Sequence, residues 1–230
     1  MRLCLNKLLF IIFVSFFFNF LPTKAETIKA NYKINFGLFK LGHLSWEIDL
    51  EKNIYESKIS LESRGLASGL YKFNGNYYSK GIIKKNIFVP TKYTQLWTTK
   101  KKVKKLELYF SNGWVYSLKI APKENELPRI NYLNLKNLKD PVSSLMNILN
   151  KSGDEFTTID GRRVYVMKDG FKDAETRRVT LSDYKNIWAD HNKNALEYLE
   201  IRRLKENNVS IFPEIIKIKH QGFLFKLTKI

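Results

Sequence analysis

The side chains here that could do chemistry are few. They are three histidines (His43, His191 and His220), Asp140 and Asp160, the arginine pairs Arg162-Arg163 and Arg177-Arg178, and a lysine-dense run, TTKKKVKK, from Thr98 to Lys105. Glycoside hydrolysis would need two carboxyl groups held about 5–10 Å apart, and nothing in the spacing of Asp140 and Asp160 places them so. Asp190-His191 resembles a base beside its orienting carboxylate. Adjacent residues on an extended chain, however, point to opposite faces. No phosphate-binding glycine loop, no His-Glu-x-x-His zinc pattern and no Gly-x-Ser-x-Gly elbow occurs. The expectation is therefore no catalytic residue, no metal site and no cofactor.

Binding is the chemistry left. In each arginine pair a regular strand turns one side chain inward, where it needs Glu175, Glu200 or an anionic ligand; Arg163 and Arg178 are the candidates for a ligand. Trp46, Tyr71, Tyr77, Trp97, Trp114 and Tyr116 lie in strand-like stretches. They either fill a large aromatic core or line a cavity for an acyl chain, since tyrosine and tryptophan pair an apolar ring with a polar tip. Lys100, Lys101, Lys102, Lys104 and Lys105 read as a solvated hairpin turn or as a contact for anionic headgroups or envelope glycan.

The front of the chain bears on compartment. Arg2 and Lys7 precede an apolar run from Leu8 to Leu21, and Thr23-Lys24-Ala25 offers small residues before a cleavage point. This is the pattern of a secretory signal cleaved after Ala25. An uncleaved anchor is the rival, although the run is short of the roughly 20 apolar residues a span wants. The expected mature domain is 26–230, long enough for a sizeable core. Cys4, the only cysteine, falls in the leader, so the domain is expected to manage without disulfides in a bacterial periplasm. From Glu26 onward basic side chains outnumber acidic ones by fifteen. Such an excess prompts a nucleic-acid reading, but export and the scatter of the lysines argue against it. The mature form is expected to be soluble, at most peripheral at a membrane.

Most of the chain alternates as strands do. Tyr32, Ile34 and Phe36 share a face, then Leu44, Trp46, Ile48 and Leu50, with Gly37 and Gly42 around the turn between them. Leu106, Leu108 and Phe110 pass through Asn112-Gly113 into Trp114 and Tyr116, a strong hairpin signal. Strands are expected again at Arg163–Met167, Glu175–Leu181, Tyr198–Leu204, Ile211–Lys219 and Phe223–Leu227. Residues 121–138 read as a long connection and Ser182–Asn194 as a loop or a distorted turn. One helix interrupts the pattern near 141–150. Asp140 can cap it, Pro141 suits its first position, and Val142, Leu145, Met146 and Leu149 form its apolar stripe. Asp160-Gly161 reads as a turn. Ten or more antiparallel strands cannot stay one flat open sheet. The fold class is thus all-β: a strongly curved, spiral-like or nearly closed antiparallel sheet with one amphipathic helix against it, Leu145 and Leu149 plugging one mouth.

Several segments, in order, carry a family likeness: Tyr32-x-Ile34 with Gly37 and Gly42, the Gly65/Gly69 segment, Asp140-Pro141-Val142-Ser143, Asp160-Gly161-Arg162, and Phe212-Pro213 leading to Gly222 and Phe-Lys-Leu. Over nearly the whole mature chain they resemble the DUF3108 domain of proteobacterial envelope proteins and, more distantly, the DUF1849 envelope-integrity proteins. The resemblance implies a periplasmic, spiral-like or nearly closed antiparallel sheet with a helix against it; the family's function is largely unassigned, cell-envelope maintenance being the usual suggestion. Many relatives carry a cysteine before the Asp-Gly-Arg element and another after it, which implies a disulfide there; this chain carries neither.

Three functions follow as expectations. The first is a noncatalytic periplasmic protein binding a lipid, glycan or protein of the envelope. The second is a structural or assembly factor acting through protein contacts alone. The third is a hydrolase of envelope glycan or lipid.

Overall fold

The computed structural model describes residues 26–64, 72–173, 175–188, 196–202 and 211–230. The expected leader, Tyr71, the Gly65/Gly69 segment, Asp190-His191 and the end of the expected Tyr198–Leu204 strand lie outside these residues.

Thirteen strands form one antiparallel sheet: β1 (Glu26–Phe36), β2 (Phe39–Glu51), β3 (Ile54–Ser63), β4 (Phe73–Lys84), β5 (Ile87–Thr99), β6 (Val103–Ser111), β7 (Trp114–Ala121), β8 (Glu155–Ile159), β9 (Arg163–Phe171), β10 (Thr176–Asn186), β11 (Leu196–Arg202), β12 (Ile215–His220) and β13 (Phe223–Lys229). Their order is β7-β6-β5-β4-β3-β2-β1-β13-β12-β11-β10-β9-β8. The first strand is therefore the middle of the sheet, and β7 and β8 are its edges. Alternation sends Ala30, Tyr32, Ile34, Trp46, Ile48, Tyr55, Tyr93, Leu106 and Leu108 inward, and all are buried. Burying one face of a sheet this wide requires it to curl.

The edges approach but do not pair. The strip Leu138–Lys139 bridges them instead. Leu138 N–H donates to Gly113 O (2.9 Å) in the β6–β7 turn, while Lys139 N–H donates to Thr157 O (3.0 Å) and Ile159 N–H donates to Lys139 O (2.9 Å) on β8. On the β8 edge, the Thr157 carbonyl and the Ile159 amide, which could have templated another chain, are thereby satisfied. The strongly curved antiparallel sheet expected from the sequence is the one observed, and the curl is not closed by strand pairing.

Two local expectations change. Ser182–Asn194 reads from sequence as a loop or a distorted turn, yet over its described part β10 runs on to Asn186, through an irregularity between Ser182 and Lys185 where Asp183 has φ +53°. The five-residue β8 has no clear alternation to announce it, since Thr158 and Ile159 are both buried.

The helix, α1 (Pro141–Leu149), is capped as expected: Asp140 Oδ1 accepts from Val142 N–H (2.8 Å) and Ser143 N–H (3.0 Å). Its burial differs from a simple apolar stripe. Met146 and Ile148 are fully buried and Leu149 nearly so, whereas Leu145 is only half-buried. Ser143, Ser144 and Asn147 are buried too, each with partners. Ser144 Oγ and Thr158 Oγ1 are 2.7 Å apart. Asn147 Oδ1 accepts from Phe88 N–H (2.8 Å), and its Nδ2 donates to Phe88 O (2.9 Å) and Ser143 O (2.9 Å). Asn147 thus satisfies the main chain of β5 below the point where β6 ends. α1 packs against β4, β5 and β8 and reaches the β4–β5 turn, where Ser152 Oγ donates to Asn86 O (2.6 Å).

Candidate ligand-binding rim

Antiparallel connectivity sorts the turns into two rims. One holds Asn86 and Gly113 and is occupied by α1. The other gathers the turns at Gly37-Leu38, Lys100–Lys102, Asp160–Arg162 and Gln221-Gly222. Two adjoining hollows lie at this second rim, beside the seam. The larger, about 780 Å³, is lined by Lys102, Val103, Lys104, Lys105, Ala121, Pro122, Lys123, Glu124 and Arg162. The smaller, about 350 Å³, is lined by Gln95, Trp97, Thr99, Lys102, Lys104 and Arg162.

Strand register explains this lining. Trp97 pairs with Lys104, Gln95 with Leu106 and Tyr93 with Leu108, so Lys104 lies on the same inward face as two buried leucines. The β5–β6 turn is tied by Thr99, whose N–H donates to Lys102 O (2.8 Å) and whose Oγ1 accepts from Lys102 N–H (3.0 Å). Across the seam, Asp160 Oδ1 accepts from Arg162 N–H (2.8 Å) and Arg163 N–H (2.7 Å), which fixes the turn that carries Arg162. Gly161 at φ +82° lets that turn press against Leu106, and Trp188 Nε1 donates to Gly161 O (3.1 Å). The hollow is cationic: Lys102, Lys104, Lys123 and Arg162 face one carboxylate, Glu124, which lies 3.9 Å from Arg162 Nε, while Lys105 at the edge is held by Glu107 at 2.8 Å. Trp97 supplies an apolar wall, stacked on Phe73 at 5.8 Å. Its buried indole N–H makes no hydrogen bond, though it lies near enough to the Tyr77 hydroxyl to favour the ionised phenol. Burial outweighs that effect and pushes Tyr77 well above the usual phenol range.

The sequence-derived candidates divide. Trp97, Lys102, Lys104 and Lys105 meet at the rim, and Tyr77 stands edge-on to Trp97 with centroids 6.3 Å apart. Trp46 is a core residue; its Nε1 donates to Ser57 Oγ (2.9 Å) and its ring abuts Phe212. Trp114 and Tyr116 do not line an interior. Val115 between them is buried, while they are 37% and 63% exposed on the outer face. Lys100 and Lys101 sit on the turn itself and are exposed.

Among the arginines, Arg177 faces inward, paired with the buried Asp169 and near Ile148 O at 3.4 Å; the expected partners Glu175 and Glu200 are not used there. Arg178 faces outward onto Glu200 (2.5 Å) and over the Tyr198 ring. Arg163 lies 3.8 Å from Asp160. Arg162 and Lys123 were missed by the sequence reading. The arginine pair flagged the right turn, but its two members could not be told apart before the seam was known.

Asp140 and Asp160 both serve local structure, their oxygens engaged by backbone amides. Asp140 also accepts from Ser79 Oγ (2.8 Å), 3.2 Å from the Tyr55 hydroxyl. Burial raises the Asp140 pKa above the ordinary carboxylate range despite these bonds. No group of three His, Cys, Asp or Glu side chains suited to a metal occurs among the described residues. No helix among them is long and apolar enough to cross a membrane.

The chain is similar in structure to a beta-barrel-like protein of the domain of unknown function DUF1849 from Brucella abortus. The TM-score is 0.51 with 14% identity, covering 88% of this chain and 94% of that one. At that identity the likeness is one of fold. No protein-family model and no curated protein matches the chain. The DUF1849 side of the resemblance is thus supported as architecture, and the DUF3108 assignment is not supported.

Proposed function

We propose that this is a noncatalytic, exported cell-envelope protein that binds an anionic, lipid-like envelope component at the rim away from α1. The observation that carries this reading is the seam hollow, where the Trp97 ring lies beside Lys102, Lys104 and Arg162. An apolar wall next to convergent cations suits a ligand with a hydrocarbon part and a phosphate or carboxylate head. The leader pattern supports periplasmic placement, with the mature chain starting at Glu26. Native mass spectrometry of protein extracted from the envelope tests the reading. A lipid-sized adduct is expected on the wild type and should be depleted in Trp97→Ala with Lys104→Ala. Repeated recovery of unliganded protein would count against it.

A second reading is an assembly factor acting through protein contacts. It is favoured by the filled interior, where Tyr32, Trp46, Tyr55 and Tyr93 are fully buried and α1 occupies one end.

A further inference from the structure

We propose that the hairpin tips at Leu38-Phe39 and Phe223-Leu224 form a docking tip that enters the headgroup layer of an anionic phospholipid bilayer. This rests on the reading that the rim faces an envelope surface, but it concerns different residues from the seam hollow. The two tips come from the start and end of the chain and meet because β1 pairs with both β2 and β13. Phe36 lies opposite Phe39 on one side and Phe225 on the other. Its ring touches Phe223 edge-on at 5.6 Å and Phe225 at 5.7 Å. Around this cluster Leu38 is 102% exposed, Phe39 69%, Phe223 53% and Leu224 41%. Scattered exposed apolar residues need no explanation, but aromatic and leucine side chains gathered on two adjoining hairpin tips mark an interaction site.

The charges beside the tip point to the occupant. Lys33, Lys40, Lys219 and Lys226 lie on the strand ends that carry it. Of the acids nearby, Glu62 is paired with Arg64 and Glu197 accepts from Gly222 N–H (2.8 Å). The local field is positive: burial first, then Lys40, Arg64 and Lys33, hold His43 below its usual range against Glu62. An apolar tip with a lysine collar matches a bilayer interface, where the apolar part enters the headgroup boundary and the lysines meet anionic lipid. β1 is the middle strand, so the tip stands across the sheet from the seam hollow. A tip seated in lipid would then place that hollow beside the same surface.

Flotation with phosphatidylglycerol-containing vesicles tests this, using the full chain. The wild type should bind, and Leu38→Ser combined with Phe223→Ser should lower partition at least about tenfold while the protein stays folded, with only a small fall in Tm from the lost Phe36–Phe223 ring contact. Replacing Lys100, Lys101 and Lys102 by Gln should weaken binding less. Leu38→Trp should add emission that brominated acyl chains quench. Equal binding by the Ser variant, absence of quenching at position 38, or a change of oligomeric state in the Ser variant without vesicles would each overturn the proposal. The last would assign the tip to a second copy of the chain. The envelope-derived adduct on Trp97 and Lys104 is read separately, so docking and ligand binding fail independently.

Discussion

Gly161, in the β8–β9 turn, lies against Leu106 of β6 so closely that a Cβ on it would stand 2.2 Å from Leu106 Cδ1. These residues come from opposite ends of the sheet, and their contact is where the curl closes without a hydrogen-bonded ladder. Gly161→Ala should therefore cost about 1–3 kcal/mol, from overpacking plus the positive φ. Urea melts of Gly161→Ala with and without Leu106→Ala separate the two terms. Partial relief in the double variant is expected, and strict additivity would mean that the seam contact carries no energy.

Removing the Asp140 side chain should cost about 2–4 kcal/mol, because Asp140→Ala loses the cap and the buried acceptor of the Ser79 hydroxyl, which keeps only the longer contact with the Tyr55 hydroxyl. Asp140→Asn should be tolerated at neutral pH, since an amide can still accept from the helix and donate to Ser79. The pH dependence follows from burial, which raises the folded pKa above the unfolded value. The protonated form is favoured in the fold, so stability from this group is full below the unfolded pKa and is lost as pH rises through the folded one. Equilibrium melts across pH 3–7 should show that slope in the wild type and not in Asp140→Asn.

Within α1 the expected ranking follows burial. Ile148→Ala should cost about 2–5 kcal/mol, and the half-buried Leu145→Ala should cost less. Asn147→Ala should cost about 1–3 kcal/mol by leaving the Phe88 main-chain groups unpaired. A silent Asn147→Ala in chemical denaturation would show that water replaces those bonds.

Glu200 should behave oppositely to Asp140. It is buried beneath Lys172, Arg178 and Lys217. Burial alone would raise its pKa, but the Lys172 and Arg178 bonds prevail and lower it. Its stabilisation is present above the unfolded pKa, about 4.3, and is lost as pH falls through the lowered folded value. Glu200→Gln should cost about 1 kcal/mol at pH 7, the partners being largely hydrated. That difference should vanish in acid; a difference that persists there would mean packing and not charge.

The sheet was legible in the sequence because inside and outside alternate with period two, and α1 because Asp140-Pro141 is a local signal. The polar half of α1 was not. Ser144 and Asn147 read as solvent-facing types, and their partners Thr158 and Phe88 are brought to them only by the curl. Lys104 lay in a run of lysines that hid its parity with Leu106 and Leu108. Phe36 and Phe223 meet because the first strand pairs with the last, a contact no local pattern announces.

The most direct measurement of the proposed function is a titration of the purified protein with a short-chain anionic phospholipid below its micelle concentration, followed by tryptophan fluorescence. Saturable binding of one lipid per chain is expected. It should be weakened at least about tenfold by Lys104→Glu with Arg162→Glu, since two charge-assisted contacts become repulsive. It should be unchanged in Leu38→Ser. Non-saturable binding, or saturable binding indifferent to Lys104 and Arg162, would contradict a ligand site at the seam.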